Sequence, residues 1–204
     1  MISVERYQSL GQALEDALGQ YQFNRALIEM ERHRERVSMT YREFKEHAHT
    51  LAAYLQAQGI TAESRVAIMM SNQSKWLLAA YASLYRGAVL VPIDYKLTPT
   101  EQLALLAHSR AEFLFTEYPV WKKLPPLPDT LRVLLSDCPE GEHLVHEKRW
   151  DIANAVTTRP QMVARKRSDV ACIVYSSGTG GRPKGCMLSH GNYLEQFAAL
   201  SACY

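Results

Sequence analysis

Apolar residues early in the chain recur at spacings of three and four, and the pattern then collapses into short unbroken runs. Val4, Tyr7, Leu10, Leu14 and Leu18 fall on one face at helical period. Thr40 with Glu43 three residues on is a capping box, and it opens a second helix. That helix carries Phe44, Ala48, Leu51, Ala52 and Leu55 on one face and ends at Gly59, where a left-handed residue is wanted. Between the two helices, the charged run Glu29 to Arg36 reads as a solvated hairpin or loop. Val66 to Met70 is apolar without alternation, the mark of a strand covered on both faces. Asn72 starts a helix over Gln73 to Tyr85, Gly87 closes it, and Ala88 to Val91 forms a buried strand that Pro92 halts. Thr98 and Glu101 make another capping box for a helix reaching Ser109, and Glu112 to Thr116 is a further strand. Strands and helices in this rhythm predict an α/β fold, a three-layer parallel sheet with flanking helices and right-handed crossovers.

Residues 117–168 lose that regularity. Pro119, Pro125, Pro126 and Pro128 break the stretch, Leu131 to Leu135 is its one strand, and Arg165 to Arg167 reads as a solvated basic linker. Beyond it an apolar run, Val170 to Tyr175, stops abruptly at Ser176 to Gly181, which are only Ser, Gly and Thr. Pro183, Lys184 and Gly185 follow, then a second apolar run, Cys186 to Leu188, and a helix capped by Asn192. A buried run ending in glycines is a strand feeding a tight loop. Glycine lets successive N–H groups turn onto one anion, the hydroxyls of Ser176, Ser177 and Thr179 add donors, and Lys184 adds a mobile charge. Those parts make a phosphate cradle, although composition alone also fits a Ser/Gly-rich surface turn containing a lysine. A Walker A loop is excluded, because Lys184 lies between Pro183 and Gly185 with no Ser or Thr after it. No G-x-G-x-x-G opens a helix, so a Rossmann fingerprint is excluded too.

Composition narrows the classes. The chain has 204 residues, 47% hydrophobic and 22% charged, ample for a globular core, and its net charge of +2 gives no reason to expect nucleic acid or an anionic membrane. The most apolar window, Trp76 to Ile93, is interrupted by Arg86 and Gly87 and is not a transmembrane segment. The N-terminus carries acids early and lacks the apolar stretch of a secretory signal, which points to the cytoplasm. Cys138, Cys172, Cys186 and Cys203 have no C-x-x-C spacing and read as small buried residues in a reducing compartment. His143 and His146 have the spacing of two metal ligands, but nothing nearby completes a site, so they read as solvated.

The stretch Ser176 to Gly185, SSGTGGRPKG, resembles the signature loop of the AMP-forming adenylating enzymes, Ser/Thr-Ser-Gly-Thr-Thr-Gly-x-Pro-Lys-Gly. Ser176, Ser177, Gly178, Thr179, Gly181, Pro183, Lys184 and Gly185 match, while Gly180 stands where the family has a second threonine, leaving one hydroxyl fewer. MTYREFKEHAHTLAAYLQAQGI and RVAIMMSNQSKWLLAAYASLYRGAVLVPID are similar to two upstream motifs of the same superfamily, so the likeness runs from about Tyr41 to Phe115 and from Asp169 to Asn192. It implies the N-terminal portion of the large domain, with an α/β subdomain over 41–116, an irregular connection over 117–168, a strand-loop-strand over 169–192 and no C-terminal domain. It also implies that Ser176, Ser177, Gly178, Thr179, Gly180, Gly181 and Lys184 hold the outer phosphates of ATP while a carboxylic acid becomes an acyl-adenylate. The family's magnesium-binding glutamate, its acid pocket and its catalytic lysine lie further on, so this chain supplies no catalytic residue and no metal ligand. Mg2+ and the thiol of coenzyme A or phosphopantetheine are expected only for the complete enzyme. The portion is expected to be inactive alone. A non-catalytic nucleotide- or partner-binding module, or one half of a split ligase completed by a second chain, are the other readings.

Overall fold

The computed structural model describes residues 4–31, 33–176 and 184–202. A 3-10 turn at Val4–Arg6 leads into α1 (Leu10–Gln20), whose cap is Ser9, its hydroxyl accepting from Gln12 N–H at 3.3 Å. The charged run forms a true hairpin, β1 (Arg25–Glu31) with β2 (Arg34–Thr40), and His33 turns the corner at φ 73°. It extends further than the charges suggest because the cross-strand pair Leu27 and Met39 packs against the helical layer. α2 (Tyr41–Ala57) begins with the expected capping box, Glu43 N–H to Thr40 Oγ1 at 3.2 Å and Thr40 N–H to Glu43 Oε2 at 2.8 Å. Gly59 and Gly87 take the positive φ their positions require, 75° and 68°.

The expected alternation follows: β3 (Arg65–Met69), α3 (Ser74–Tyr85), β4 (Val89–Pro92), α4 (Pro99–Ser109) and β5 (Phe113–Glu117). The stretch expected to be irregular holds α5 (Tyr118–Trp121), β6 (Arg132–Ser136), a two-residue β7 (Lys148–Arg149) and a 3-10 stretch at Trp150–Ala155. β8 (Val170–Ser176), β9 (Lys184–Ser189) and α6 (His190–Ala202) complete the order. Seven strands form one sheet, β7-β6-β5-β3-β4-β8-β9. Every neighbouring pair is parallel except β8 with β9, so the expected parallel sheet with flanking helices is present and carries one antiparallel pair at its edge. The short connection between β8 and β9 permits only an antiparallel return, since a parallel one needs a crossover.

Alternate residues of each strand serve opposite layers. Val66, Ile68, Leu90, Phe113, Phe115 and Leu134 pack with α2 and α3, while Ala67, Met69, Val91, Leu114, Val133 and Leu135 pack with α4 and α5. The continuous apolar strands of the sequence are therefore strands covered on both sides, and the architecture is three-layered. α1 lies against α3 so closely that a Cβ at Gly11 would come within 2.8 Å of the Leu84 carbonyl oxygen. No described helix is long and apolar enough to cross a membrane.

Three local expectations change. Asn72 does not start α3: the helix begins at Ser74, and Glu29 Oε2 on the hairpin accepts the Ser74 N–H at 2.8 Å in place of a local cap. Asn192 is not the cap of α6 but its third residue. Ser189 holds the cap position, with Ser189 N–H to Asn192 Oδ1 at 2.9 Å and Asn192 N–H to Ser189 Oγ at 3.2 Å. Cys172 is buried as expected, but Cys138 is half-buried, and Cys186 is exposed on β9, which among the described residues is the outer strand of the sheet.

Candidate functional site

β8 runs parallel to β4 and delivers its last residue, Ser176, at the same edge of the sheet as the carboxyl ends of β3, β4 and β5. In open α/β sheets, ligands bind outside that edge. The antiparallel register sets Ser176 opposite Lys184 and Tyr175 opposite Gly185. The two residues that bracket the Ser/Gly loop are thus adjacent and exposed at the mouth of the hairpin. Ser177, Gly178, Thr179, Gly180 and Gly181 lie outside the described residues, as do Arg182 and Pro183.

The exit from the hairpin is tied down heavily. α6 starts with its N–H groups already satisfied, His190 N–H by the Asp169 carbonyl at 3.0 Å and Gly191 N–H by the Arg167 carbonyl at 2.8 Å. His190 is fully buried, and its Nδ1 accepts from Leu10 N–H at 3.2 Å, so the imidazole joins the start of α1 to the start of α6. Burial, helped by the Arg165 charge and opposed by Asp169, lowers its pKa to about 4, and the ring is neutral. The basic run expected to be a solvated linker does the tying. Arg165 is mostly buried and pairs with Asp169 at 3.3 Å and Glu63 at 3.7 Å. Arg167 donates to the Tyr7 carbonyl at 3.0 Å and the Val4 carbonyl at 3.3 Å, and pairs with Glu195. A guanidinium's forked donors can bridge three elements, which run length in a sequence does not reveal.

A second polar cluster, unseen in the sequence, joins α1, α2 and α3. The Glu15 carboxylate accepts from Lys45 Nζ at 2.7 Å, His49 Nε2 at 3.0 Å and the Tyr81 hydroxyl. Burial alone would raise its pKa; the bonds from His49, Lys45 and Tyr81 outweigh burial and bring it down to about 2. The folded value lies below the usual 4.5, so the stabilisation is complete above that pH and fades as pH falls towards 2. The side chain keeps 27% of its exposure, which screens the effect to about 1–2 kcal/mol. Glu15→Gln is expected to lose that amount in urea unfolding at pH 7 and to converge on wild type near pH 2 to 3. A gap that stays constant across this range would mean packing, not charge, is at work.

His143 and His146 are exposed, and His146 faces Asp129 at 3.6 Å. Among the described residues, no three His, Cys, Asp or Glu side chains converge as a metal site.

Bacitracin synthase 1 of Bacillus licheniformis is 25% identical over 166 residues, covering 81% of this chain and 3% of that protein. The 4-hydroxybutyrate–CoA ligase 2 of Metallosphaera sedula is 25% identical over 170 residues, covering 78% of this chain and 31% of the ligase. The chain thus spans less than a third of either relative. The solved fatty acyl-adenylate ligase from L. pneumophila, in complex with acyl adenylate and pyrophosphate, shares the fold with a TM-score of 0.76 at 23% identity. That likeness covers 97% of this chain and 33% of the ligase. Residues 14–204 match the family model described as AMP-binding enzyme, and the chain belongs to that family, the adenylate-forming ligases, as an N-terminal portion.

Proposed function

We propose that this chain holds the outer phosphates of ATP for the activation of a carboxylic acid, as the N-terminal portion of an acyl-CoA synthetase-like ligase. The observation that carries the reading is the hairpin at the sheet's carboxyl edge, which places Ser176 beside Lys184 at the two ends of the Ser/Gly loop. Ser176, Ser177, Gly178, Thr179, Gly180, Gly181 and Lys184 are the residues assigned to the phosphates. In the reaction a carboxylate oxygen attacks the α-phosphorus. The bond to the bridging oxygen breaks, and pyrophosphate leaves with the electron pair. A thiol of coenzyme A or phosphopantetheine then takes the acyl group and releases AMP. Negative charge grows on the departing pyrophosphate, so hydroxyls, N–H groups and one ammonium fixed against it lower the barrier by electrostatics. Mg2+ would be needed only in the complete enzyme, where it would offset phosphate charge, and no residue of this chain is assigned to it. The relative from L. pneumophila is in complex with acyl adenylate and pyrophosphate, which supports the assignment. A reaction that needs ATP and a reduced thiol suits the cytoplasm.

Titrated with three ligands, the chain is expected to bind pyrophosphate about as well as ATP and to bind AMP poorly, since it supplies phosphate contacts. As a lone polypeptide it is expected to give no measurable carboxylate-dependent ATP–pyrophosphate exchange. Tightest binding of AMP would overturn the phosphate assignment, and robust exchange with a simple carboxylic acid would overturn the reading as a portion. A second reading is one half of a split ligase, in which a second chain would cover the apolar residues exposed on the edge strand and on α6. Met187 is 68% exposed and Leu200 49%. Recovery of exchange on adding a polypeptide that spans the rest of the family domain would support it.

A further inference from the structure

Tyr175 is the last residue of β8 before Ser176, and its ring makes two contacts, one across the hairpin and one to α4. Across the hairpin it faces Gly185, where an added Cβ would lie 3.3 Å from Tyr175 Cε1 and 3.0 Å from Ile173 Cγ2. The phenol ring is laid over bare backbone, and glycine is what leaves it room. An aromatic covering a cross-strand glycine is a known way of holding a pair in register. At the far end of the ring, Oη lies 2.8 Å from His108 Nδ1, and the two rings meet edge to face with centroids 5.6 Å apart. His108 stands in the last turn of α4, a helix fixed elsewhere by its Thr98–Glu101 capping box and by Leu105 and Leu106 in the core. Burial raises the Tyr175 phenol above its ordinary range, opposed by the Arg65 charge and by the neighbouring Ser109 hydroxyl. The hairpin needs such a fixed point. β9 is the outer strand of the sheet, and both Cys186 and Met187 on it are exposed, so little burial restrains its position.

We infer that Tyr175 and His108 are positioning residues for phosphate binding: their clasp to α4 fixes β8 one residue ahead of the loop and sets the pairing of Ser176 with Lys184. The inference rests on the reading of the loop as the holder of ATP's outer phosphates. It assigns no chemistry to either side chain, only the spacing between the two ends of the loop.

The test is a calorimetric titration of the full chain with inorganic pyrophosphate, paired with amide hydrogen exchange along β8 and β9. Tyr175→Phe keeps the ring over Gly185 and removes only the hydrogen bond; His108→Ala removes its partner. Each is expected to weaken pyrophosphate about three- to tenfold, as loss of one net hydrogen bond does. The double variant is expected to be no weaker than either single one, because both remove the same bond. His108→Gln, whose amide can reach the same hydroxyl, is expected to recover most of the affinity. Amide exchange at Gly185 and Cys186 is expected to quicken about threefold or more in Tyr175→Phe and His108→Ala, and to stay slow in His108→Gln. Additive losses, unchanged affinity, or quicker exchange without any change in affinity would each overturn the inference. If wild type itself fails to bind pyrophosphate, the phosphate assignment falls. The exchange rates then decide whether the clasp orders the hairpin at all.

Discussion

Lys184→Ala is expected to weaken pyrophosphate and ATP binding by roughly ten- to a hundredfold and to leave AMP nearly untouched, a loss of about 1.5–3 kcal/mol. The size follows from what the ammonium supplies. A lysine is a compact point charge on a flexible stem, and a charge-assisted hydrogen bond to a phosphate oxygen exceeds a neutral one about twofold. The selectivity follows from where the charge sits. Lys184 opens β9 opposite Ser176, at the base of the loop and at the carboxyl edge of the sheet. A charge held there can reach the phosphates that leave as pyrophosphate, whereas AMP lacks both of them. Lys184→Arg is expected to recover only part of the loss, since a bulkier planar fork does not substitute for a compact point charge. The measurement is a titration of wild type and both variants with all three ligands, at one ionic strength because screening changes the charge's worth. A Lys184→Ala chain that binds pyrophosphate as tightly as wild type would reduce the loop to a connection between two strands.

What the sequence disclosed depended on how local each interaction is. The capping boxes of α2 and α4 were legible because both partners lie within one turn, Thr40 with Glu43 and Thr98 with Glu101. The cap of α3 was not, because Glu29 reaches Ser74 from the hairpin, and only the fold brings them together. At α6 the sequence pointed to Asn192 as the cap, three residues too late. Ser189 and Asn192 cap one another reciprocally, and the serine is the one outside the helix. Strands buried on both faces announced themselves by unbroken apolar runs, yet the same sign misled at Cys186 to Leu188. There the run belongs to an edge strand, a property of strand order that no local pattern carries. The pairing of Ser176 with Lys184 follows from a short loop between two strands and was within reach of the sequence. The clasp of Tyr175 on His108 was not, since it joins a strand to a helix far earlier in the chain. Arg165 and Arg167 show the same limit from the other side: three consecutive basic residues look like a solvated tract until their carbonyl and carboxylate partners arrive from the N-terminus, from Asp169 just ahead of β8, and from α6.

The largest expected change in stability comes from Phe115→Ala, about 3–5 kcal/mol, the range for emptying a well-packed aromatic site. Phe115 lies in β5, inside the sheet between β3 and β6, opposite Ile68 on one side and Leu134 on the other. Its side chain is fully buried, with the Phe113 ring at 4.9 Å and the Trp150 indole at 5.6 Å. Those neighbours come from the same strand and from the 3-10 stretch that covers it, so they cannot easily move in to refill the space. Loss of transfer free energy and of dispersion contacts therefore adds to the cavity left behind. Against a total stability of about 5–15 kcal/mol, the loss puts the variant near the folding threshold. Leu77→Ala on α3, 48% exposed, is the comparison, and it is expected to change stability by no more than about 0.5 kcal/mol. Urea unfolding of the three proteins decides the matter, read as the shift in midpoint at constant slope. Equal midpoints for Phe115→Ala and wild type would mean that the layer between β5 and α2 is not packed as described. The sheet that carries the Ser176–Lys184 hairpin would then lack the rigid support on which both proposals for the loop depend.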